Sequence, residues 1–373
     1  MDLKKSFASR QGAILAGGGI GAMAAGLQFW GNPPNMGLCF VCFARDIAGA
    51  IGLHRAAPVQ YLRPEIPAVV FGAMIAAVSF REWRPRGGAA PIVRFALGVF
   101  AAIGALVFLG CSWRALLRLA ALDLNAVVGI GGLLAGIALA CVFLRFGYSL
   151  GRSHPTPKVA GLIFPTAMAL LLGLLLCKAP FVLSSEKGPG AMHAAVWVSV
   201  ALGLGVGFLA QRTRFCTTGA VRDAILIGDF HRLGAVAALV LVVFAVNLCT
   251  GAVKPGWIAP ISHSNHLWNF LGMVLAGLCF VLGGGCPGRQ FFLSGEGDGD
   301  AAVFCCGMFA GVAVAHNWAL AGVPDKIVDG TLTVGGPGAY GQIAVVAGVL
   351  FCIILGLTAR DRKTPRTPSE SRP

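Results

Sequence analysis

The feature that most constrains this chain is a series of ten apolar segments. About twenty consecutive apolar residues cross the ~30 Å hydrocarbon core of a bilayer as an α-helix. The segments lie near residues 13–30, 66–80, 92–110, 126–147, 159–177, 190–210, 233–252, 267–285, 301–321 and 338–358. We therefore predict an all-α polytopic membrane protein with about ten spans.

The composition agrees with a membrane protein and argues against the main soluble classes. Apolar residues are 57% and charged residues 12% of the 373 residues, against about 45–50% and about 25% in soluble domains. The 29 Lys and Arg outnumber the 15 Asp and Glu. Because these basic residues fall mainly between the apolar segments, we expect no nucleic acid partner. Most of the excess positive charge is instead a signal of membrane topology.

The distribution of basic residues predicts which side of the membrane each loop occupies. With both termini in the cytoplasm, the basic loops 81–86, 145–158 and 212–232 are cytoplasmic, as the positive-inside rule requires. Two segments on the other side are exceptions, and their arginines are Arg45, Arg55, Arg63, Arg114 and Arg118. We predict a multi-pass protein of the bacterial inner membrane, embedded in the lipid bilayer, with both termini cytoplasmic.

Two cysteine motifs recur along the chain in the same order. Cys39 precedes the pair Arg45-Asp46 by the same spacing at which Cys216 precedes the pair Arg222-Asp223. Further on, Gly110-Cys111-Ser-Trp-Arg114 matches Gly285-Cys286-Pro-Gly-Arg289, and the alignment continues without a gap at an offset of 175 residues. Two matched motifs in order at similar separations indicate an internal duplication.

The number of predicted spans determines how the two halves are oriented in the membrane relative to each other. Five crossings separate Cys39 from Cys216, an odd number, so the halves are predicted to be inverted relative to each other, as in many secondary transporters. The predicted division is a first inverted repeat at 13–147, a connecting span and loop at 148–189, a second inverted repeat at 190–321, a final span at 322–358 and a disordered cytoplasmic tail at 359–373.

The segments around the matched cysteines are unlike ordinary loops. Residues 35–53 and 214–229 are too apolar for a solvated loop and too interrupted for a full span. Irregular backbone at membrane depth is tolerated where protein or a water-filled cavity satisfies it. We therefore predict re-entrant or broken helices at these segments.

The matched cysteines suggest a pathway for a solute. A thiol is a weak S–H donor with a soft, polarizable sulfur, which suits a small sulfur- or selenium-containing solute better than a hard, hydrated ion. The predicted pathway residues are Cys39, Cys111, Cys216 and Cys286, and the predicted supporting residues are Gly110, Gly285, Arg45, Asp46, Arg114, Arg222, Asp223 and Arg289. The arginines either attract an anion or pair with the aspartates to hold the fold.

Two other classes of function compete with transport. Cys39-Phe-Val-Cys42 has the spacing of a redox pair, so a membrane thiol oxidoreductase is the alternative. Its counterpart in the second half has Gly219 in place of the second cysteine, and no second C-x-x-C completes a zinc site, so no metal, cofactor or catalytic residue is assigned. A structural membrane subunit is the third possibility.

The motifs of this chain resemble those of the YeeE/YedE family, which includes bacterial thiosulfate uptake proteins. The resemblance runs through both motif pairs and includes Gly283-Gly284-Gly285-Cys286, whereas Phe108 replaces the first glycine of this pattern before Cys111. Four stretches resemble the YedE-type branch, which is described as a selenium transporter branch, namely 35–39, 52–56, 189–193 and 285–289. The resemblance implies an hourglass-shaped protein that passes thiosulfate along its cysteines by S–H hydrogen bonds, and a small cytosolic sulfur-carrier protein as a partner.

Overall fold

The computed structural model describes residues 7 and 9–360. Its helices are α1 Arg10–Phe29, α2 Phe40–Ala50, α3 Glu65–Ser79, α4 Pro91–Val107, α5 Ser112–Leu119, α6 Leu124–Arg145, α7 Lys158–Leu176, α8 Val196–Thr213, α9 Thr217–Ile227, α10 His231–Cys249, α11 His266–Leu282, α12 Pro287–Gly295, α13 Gly299–Asn317 and α14 Ala339–Thr358. A 3-10 turn covers Ala57–Val59. Strand β1 (Arg86–Gly87) pairs with β2 (His154–Pro155), and β3 (Lys326–Val328) with β4 (Thr331–Thr333), both antiparallel.

The prediction of an all-α polytopic membrane protein is confirmed. Within the described residues, nine helical segments are long and apolar enough to cross a membrane, and three of them join a long helix to the short helix that follows it. The remaining predicted span corresponds to α3, an apolar helix of 15 residues. The predicted disordered tail falls mostly at 361–373, outside the described residues.

The same order of long and short helices occurs twice. Helices α1–α6 run long, short, long, long, short, long, and α8–α13 repeat this order. The packing partners also exchange between the halves, because α3 packs on α8 as α10 packs on α1, and α6 packs on α11 as α13 packs on α4. The repeat boundaries themselves stay a prediction.

Glycines at matching positions allow these long helices to approach closely. A Cβ on Gly132 of α6 would lie 2.2 Å from the Phe270 carbonyl oxygen of α11. A Cβ on Gly307 of α13 would lie 2.2 Å from the Phe95 carbonyl oxygen of α4. Small residues at such crossings are what close helix packing in a membrane requires.

Contacts between loops define two faces of the helical bundle. The terminal face holds the carboxyl end of α14, where the backbones of Tyr148 and Arg360 form an isolated β-bridge. It also holds the ends of α6 and α9, where the Arg145 side chain donates to the Ile225 carbonyl. The opposite face holds the loops before α3, α6 and α11, where Asp123 forms a bridge with Gly256. These two names are used below.

Candidate functional site

Each of the four short helices begins at one of the matched cysteines. Cys39, Cys111, Cys216 and Cys286 are the N-cap residues of α2, α5, α9 and α12, all with extended backbone angles. Three of the sulfurs accept a hydrogen bond from the first turn of their own helix, as Cys216 Sγ does from the Gly219 amide at 3.2 Å. The predicted broken helices are thus short helices whose positive amino ends carry thiols.

The two cysteines of the first half form a buried pair near the opposite face. Cys39 Sγ and Cys111 Sγ lie 3.5 Å apart, within the range of an S–H···S contact, and both residues are fully buried. Cys39 Sγ also accepts from the Cys42 amide at 3.4 Å. The amino ends of α2 and α5 therefore share one thiol-lined point.

The two cysteines of the second half also meet, near the terminal face, through an amide–sulfur hydrogen bond. The Cys286 amide donates to Cys216 Sγ at 3.3 Å, and Cys286 Sγ in turn accepts from the Arg289 amide at 3.4 Å. Cys286 is fully buried and Cys216 is 5% exposed. The structure therefore brings together the predicted cysteines of each half.

A polar contact joins the two cysteine pairs at the centre of the molecule. Ser112, which follows Cys111, and Thr217, which follows Cys216, have their hydroxyl oxygens 2.8 Å apart. The neighbouring residues Trp113 and Phe215 pack with ring centroids 5.1 Å apart. The amino ends of α5 and α9 therefore point toward each other from the two halves.

Sequence reasoning missed these central residues. Ser112 and Thr217 are hydroxyl residues directly after matched cysteines, and that shared property was the signal available. Trp113 aligns with Gly288 at the 175-residue offset, so its side chain has no counterpart in the second half. Phe40, Phe291 and Phe292 complete an aromatic layer around Trp113.

The matched arginines of α5 and α12 are held by the glycines before the cysteines. A Cβ on Gly110 would lie 2.9 Å from Arg114 Cδ, and one on Gly285 would lie 2.9 Å from Arg289 Cγ. The glycines are required because each arginine stem packs over the preceding turn. Arg289 bonds the Glu296 carboxylate at 3.2 Å.

Arg114 differs from Arg289 in its partners. It is fully buried, and within the described structure its hydrogen-bond acceptors are backbone carbonyls, including those of Leu109, Asn35 and Ile261. A buried cation bonded to neutral carbonyls keeps its full positive charge at the first cysteine pair. That charge favours an anionic solute.

Both predicted Arg-Asp pairs are ion pairs, and each gains a second arginine. Asp46 accepts from Arg45 at 2.7 Å and from Arg63 at 2.8 Å, all three nearly fully buried. Asp223 accepts from Arg222 at 2.8 Å and from Arg232 at 2.5 Å, and these two arginines are about one third exposed. Two arginines and one aspartate leave a net positive charge at each site.

The terminal face has a basic cavity over the second cysteine pair. It measures about 210 Å³, and its lining includes Cys216, Arg214, Arg222, Arg232 and Arg289. A larger cavity of about 400 Å³ lies at the opposite face and is lined largely by amides and small residues, among them Gln28, Asn35 and Asn247.

The structure disfavours a redox role for Cys39 and Cys42. Both residues are fully buried, whereas thiols that exchange disulfides are partly exposed. Cys42 Sγ instead lies 3.9 Å from the Leu109 carbonyl oxygen. Among residues 7 and 9–360, no cluster of three or more His, Cys, Asp or Glu side chains could hold a metal ion.

Comparison with known proteins finds a family match over part of the chain. No curated protein matches the chain. Residues 212–373, which contain the second cysteine pair and its basic cavity, match the family model described as "Sulphur transport". This match and the helical membrane fold support a membrane transporter for sulfur compounds.

Proposed function

We propose that this protein is a permease for a small anionic solute that contains sulfur or selenium, with passage along Cys39, Cys111, Cys216 and Cys286. One observation carries the proposal: four cysteine-capped helix ends meet in pairs, one pair in each half, and the Ser112–Thr217 contact joins the two pairs.

The physical chemistry of these helix ends fits a soft anion. A helix amino terminus presents unpaired amides and a partial positive charge, which makes it an anion site. A thiol is a weaker cap than a hydroxyl or carboxylate, so those amides stay available to a passing anion. The buried charge of Arg114 adds to the attraction.

Passage in this proposal runs from one cysteine pair to the other across the central layer. The solute accepts S–H hydrogen bonds from Cys39 and Cys111, then from Cys216 and Cys286. Trp113 supplies a further donor between the pairs, because its buried Nε1 bonds no oxygen or nitrogen acceptor within the described structure and interacts with Cys286. Each thiol is unchanged after passage, so the reaction is transport and not catalysis.

The buried arginines support cytoplasmic termini in the inner membrane. Four of the five arginines that were exceptions to the positive-inside rule are buried and bonded to carboxylates or carbonyls, whereas Arg55 is exposed. The four are Arg45, Arg63, Arg114 and Arg118. Such residues belong to the packed core rather than to a soluble loop. We therefore assign the terminal face to the cytoplasm.

The basic cavity at the terminal face is then the cytoplasmic mouth. Its arginines hold the anion after passage, where a small cytosolic sulfur-carrier protein can collect it. Selenium analogues are included in the proposal because selenium is as soft as sulfur and fits the same thiol donors.

The test is uptake by cells that lack their own routes for sulfur and selenium oxyanions. Labelled thiosulfate and labelled selenite are supplied separately to cells with the wild-type protein, Cys286→Ala or Cys111→Ala. We expect uptake of at least one anion, reduced roughly tenfold in each variant, which corresponds to one lost hydrogen bond in the transfer barrier.

Cys279→Ala is the matched control, because Cys279 is equally buried but lies 3.5 Å from Cys352 on α14 and not at the amino end of a helix. Equal membrane levels are confirmed for all variants. Uptake at the wild-type rate in both pathway variants would refute passage along the cysteines. If cells with the wild-type protein take up neither anion, the proposed substrate class is refuted.

A further inference from the structure

The two mouths of the proposed pathway differ at two equivalent positions. Cys42 of α2 aligns with Gly219 of α9, and Leu109 before α5 aligns with Gly284 before α12. Both glycines line the 210 Å³ cavity over Cys216. The mouth at the terminal face therefore has glycines at the two positions where the mouth at the opposite face has the side chains of Cys42 and Leu109.

Small size at these positions keeps the terminal mouth open. A Cβ on Gly284 would meet nothing within 4 Å, so it would project into the cavity. A Cβ on Gly219 would lie 3.2 Å from Cys216 Sγ and would cover the thiol. Side chains at these two positions would therefore close the space through which a solute reaches Cys216.

The opposite mouth carries those side chains and is closed. Cys42 is fully buried and Leu109 is 4% exposed, and Cys42 Sγ lies 3.9 Å from the Leu109 carbonyl oxygen. Leu109 holds this position with a φ of 64°, in the left-handed region that disfavours a leucine. This left-handed backbone ends α4, as the φ of 101° at Gly284 ends α11, so the two mouths share a backbone turn and differ in the side chain that it carries.

Two loop segments, which contain Asn35 and Ile261, lie over the opposite mouth. Arg114 bonds the carbonyls of Asn35 and Ile261, and Asn35 also lines the 400 Å³ cavity. The described residues that line this cavity include neither Cys39 nor Cys111. The cavity therefore approaches the first cysteine pair but is separated from it.

We infer that Cys42 and Leu109 form the constriction that selects which solutes reach Cys39 and Cys111 from the opposite face. The inference rests on the proposed function and names its selectivity residues. The two side chains present an apolar and a thiol surface, so they exclude a strongly hydrated ion and admit an anion that can shed water against sulfur.

The test measures thiol accessibility, which does not require transport. Purified protein in detergent, where both faces are open, reacts with the anionic thiol reagent sulfonatoethyl methanethiosulfonate, and peptides are quantified by mass spectrometry. In wild type, we expect Cys216 to react faster than Cys39. In Cys42→Gly/Leu109→Gly, which copies the other mouth, we expect the Cys39 rate to rise roughly tenfold toward that of Cys216.

Controls separate a constriction from misfolding. Gly219→Ser, which adds a cysteine-sized side chain at the terminal mouth, is expected to slow Cys216 labelling and leave Cys39 unchanged. Leu109→Gly alone tests the constriction without a glycine inside α2, and relief of its positive φ favours the fold. Unchanged melting temperature and Cys216 labelling in the glycine variants confirm that the fold is intact.

The outcomes distinguish this inference from the proposed function. Unchanged Cys39 labelling in the folded glycine variants overturns the constriction even if uptake depends on the cysteines. Increased Cys39 labelling supports the constriction even if no variant transports an anion, in which case the proposed function fails alone. Increased uptake of anions larger than those accepted by wild type adds direct support for selectivity.

Discussion

The indole nitrogen of Trp113 occupies the space that a side chain on Gly288 would fill. A Cβ on Gly288 would lie 2.7 Å from Trp113 Nε1 and 2.7 Å from Phe40 Cε2. These two residues stand at equivalent positions of the matched motifs. Only one large side chain fits at the centre, so the two halves differ where they meet.

Gly288→Ala is expected to destabilise the protein. The added methyl group must displace the rings of Trp113 and Phe40, and overpacking of this kind costs about 1–3 kcal/mol. We expect a lower melting temperature in detergent. Gly173→Ala in α7 is the control, because a Cβ there meets nothing within 4 Å. An equal melting temperature for wild type and Gly288→Ala would contradict the packing at the centre.

Trp113→Phe tests the proposed central hydrogen-bond donor. The ring contacts are largely kept, and the smaller ring leaves a cavity that costs the fold about 1 kcal/mol. We expect uptake to fall roughly tenfold with only a small decrease in melting temperature. Trp83→Phe is the control, because its Nε1 is also buried without a partner but lies in the loop after α3. Wild-type uptake by Trp113→Phe would remove this donor from the pathway.

Asp46→Asn and Asp223→Asn are expected to differ strongly in their effect on stability. Removal of the Asp46 charge leaves Arg45 and Arg63 buried without a counter-ion, at a cost of about 3–5 kcal/mol. The arginines at Asp223 are about one third exposed, so water compensates and the cost is about 1 kcal/mol or less. Melting temperatures measured side by side check this. Equal losses would show that burial does not separate the two clusters.

Much of the fold could be predicted because membrane spans and repeats leave simple signals. The ten apolar segments correspond to the ten long helices α1, α3, α4, α6, α7, α8, α10, α11, α13 and α14. The matched cysteines proved to be the N-cap residues of a distinct class of short helix. Spacing alone was sufficient for these features.

Other parts of the site could not be predicted because they depend on packing across the repeat. Arg63 and Arg232 join the two aspartates from different helix ends, and no fixed spacing marks them. Trp113 can fill the centre because the equivalent residue of the other half is Gly288. The importance of this difference is visible only when the two halves are packed together. The buried state of Arg114 likewise depends on a loop about 147 residues away.

Stability is expected to fall in mild acid. His263 lies in the loop before α11, and its Nε2 bonds the Val107 carbonyl at 2.7 Å. Burial lowers the pKa of this imidazole. The unfolded chain then binds more protons than the folded one below pH ~6.5, so the free energy of unfolding decreases as pH falls, by up to about 1.4 kcal/mol per pH unit.

The measurement is the melting temperature between pH 7.5 and 5.5 for wild type and His263→Gln, which keeps a hydrogen-bond donor. A shallower pH dependence is expected for His263→Gln. His54, whose pKa is also lowered by burial, remains in both proteins and accounts for part of the residual slope. Identical pH dependence in the two proteins would show that His263 does not titrate during unfolding.

The most direct test of the central claim is flux through the purified protein in liposomes. Initial rates of labelled thiosulfate and selenite influx are measured for wild type and for the single alanine variants of Cys39, Cys111, Cys216 and Cys286, with Cys279→Ala and Cys141→Ala as buried-cysteine controls. The account predicts roughly tenfold lower rates in all four pathway variants and rates close to wild type in both controls. Wild-type flux in all four pathway variants, or equal losses in the controls, would contradict it.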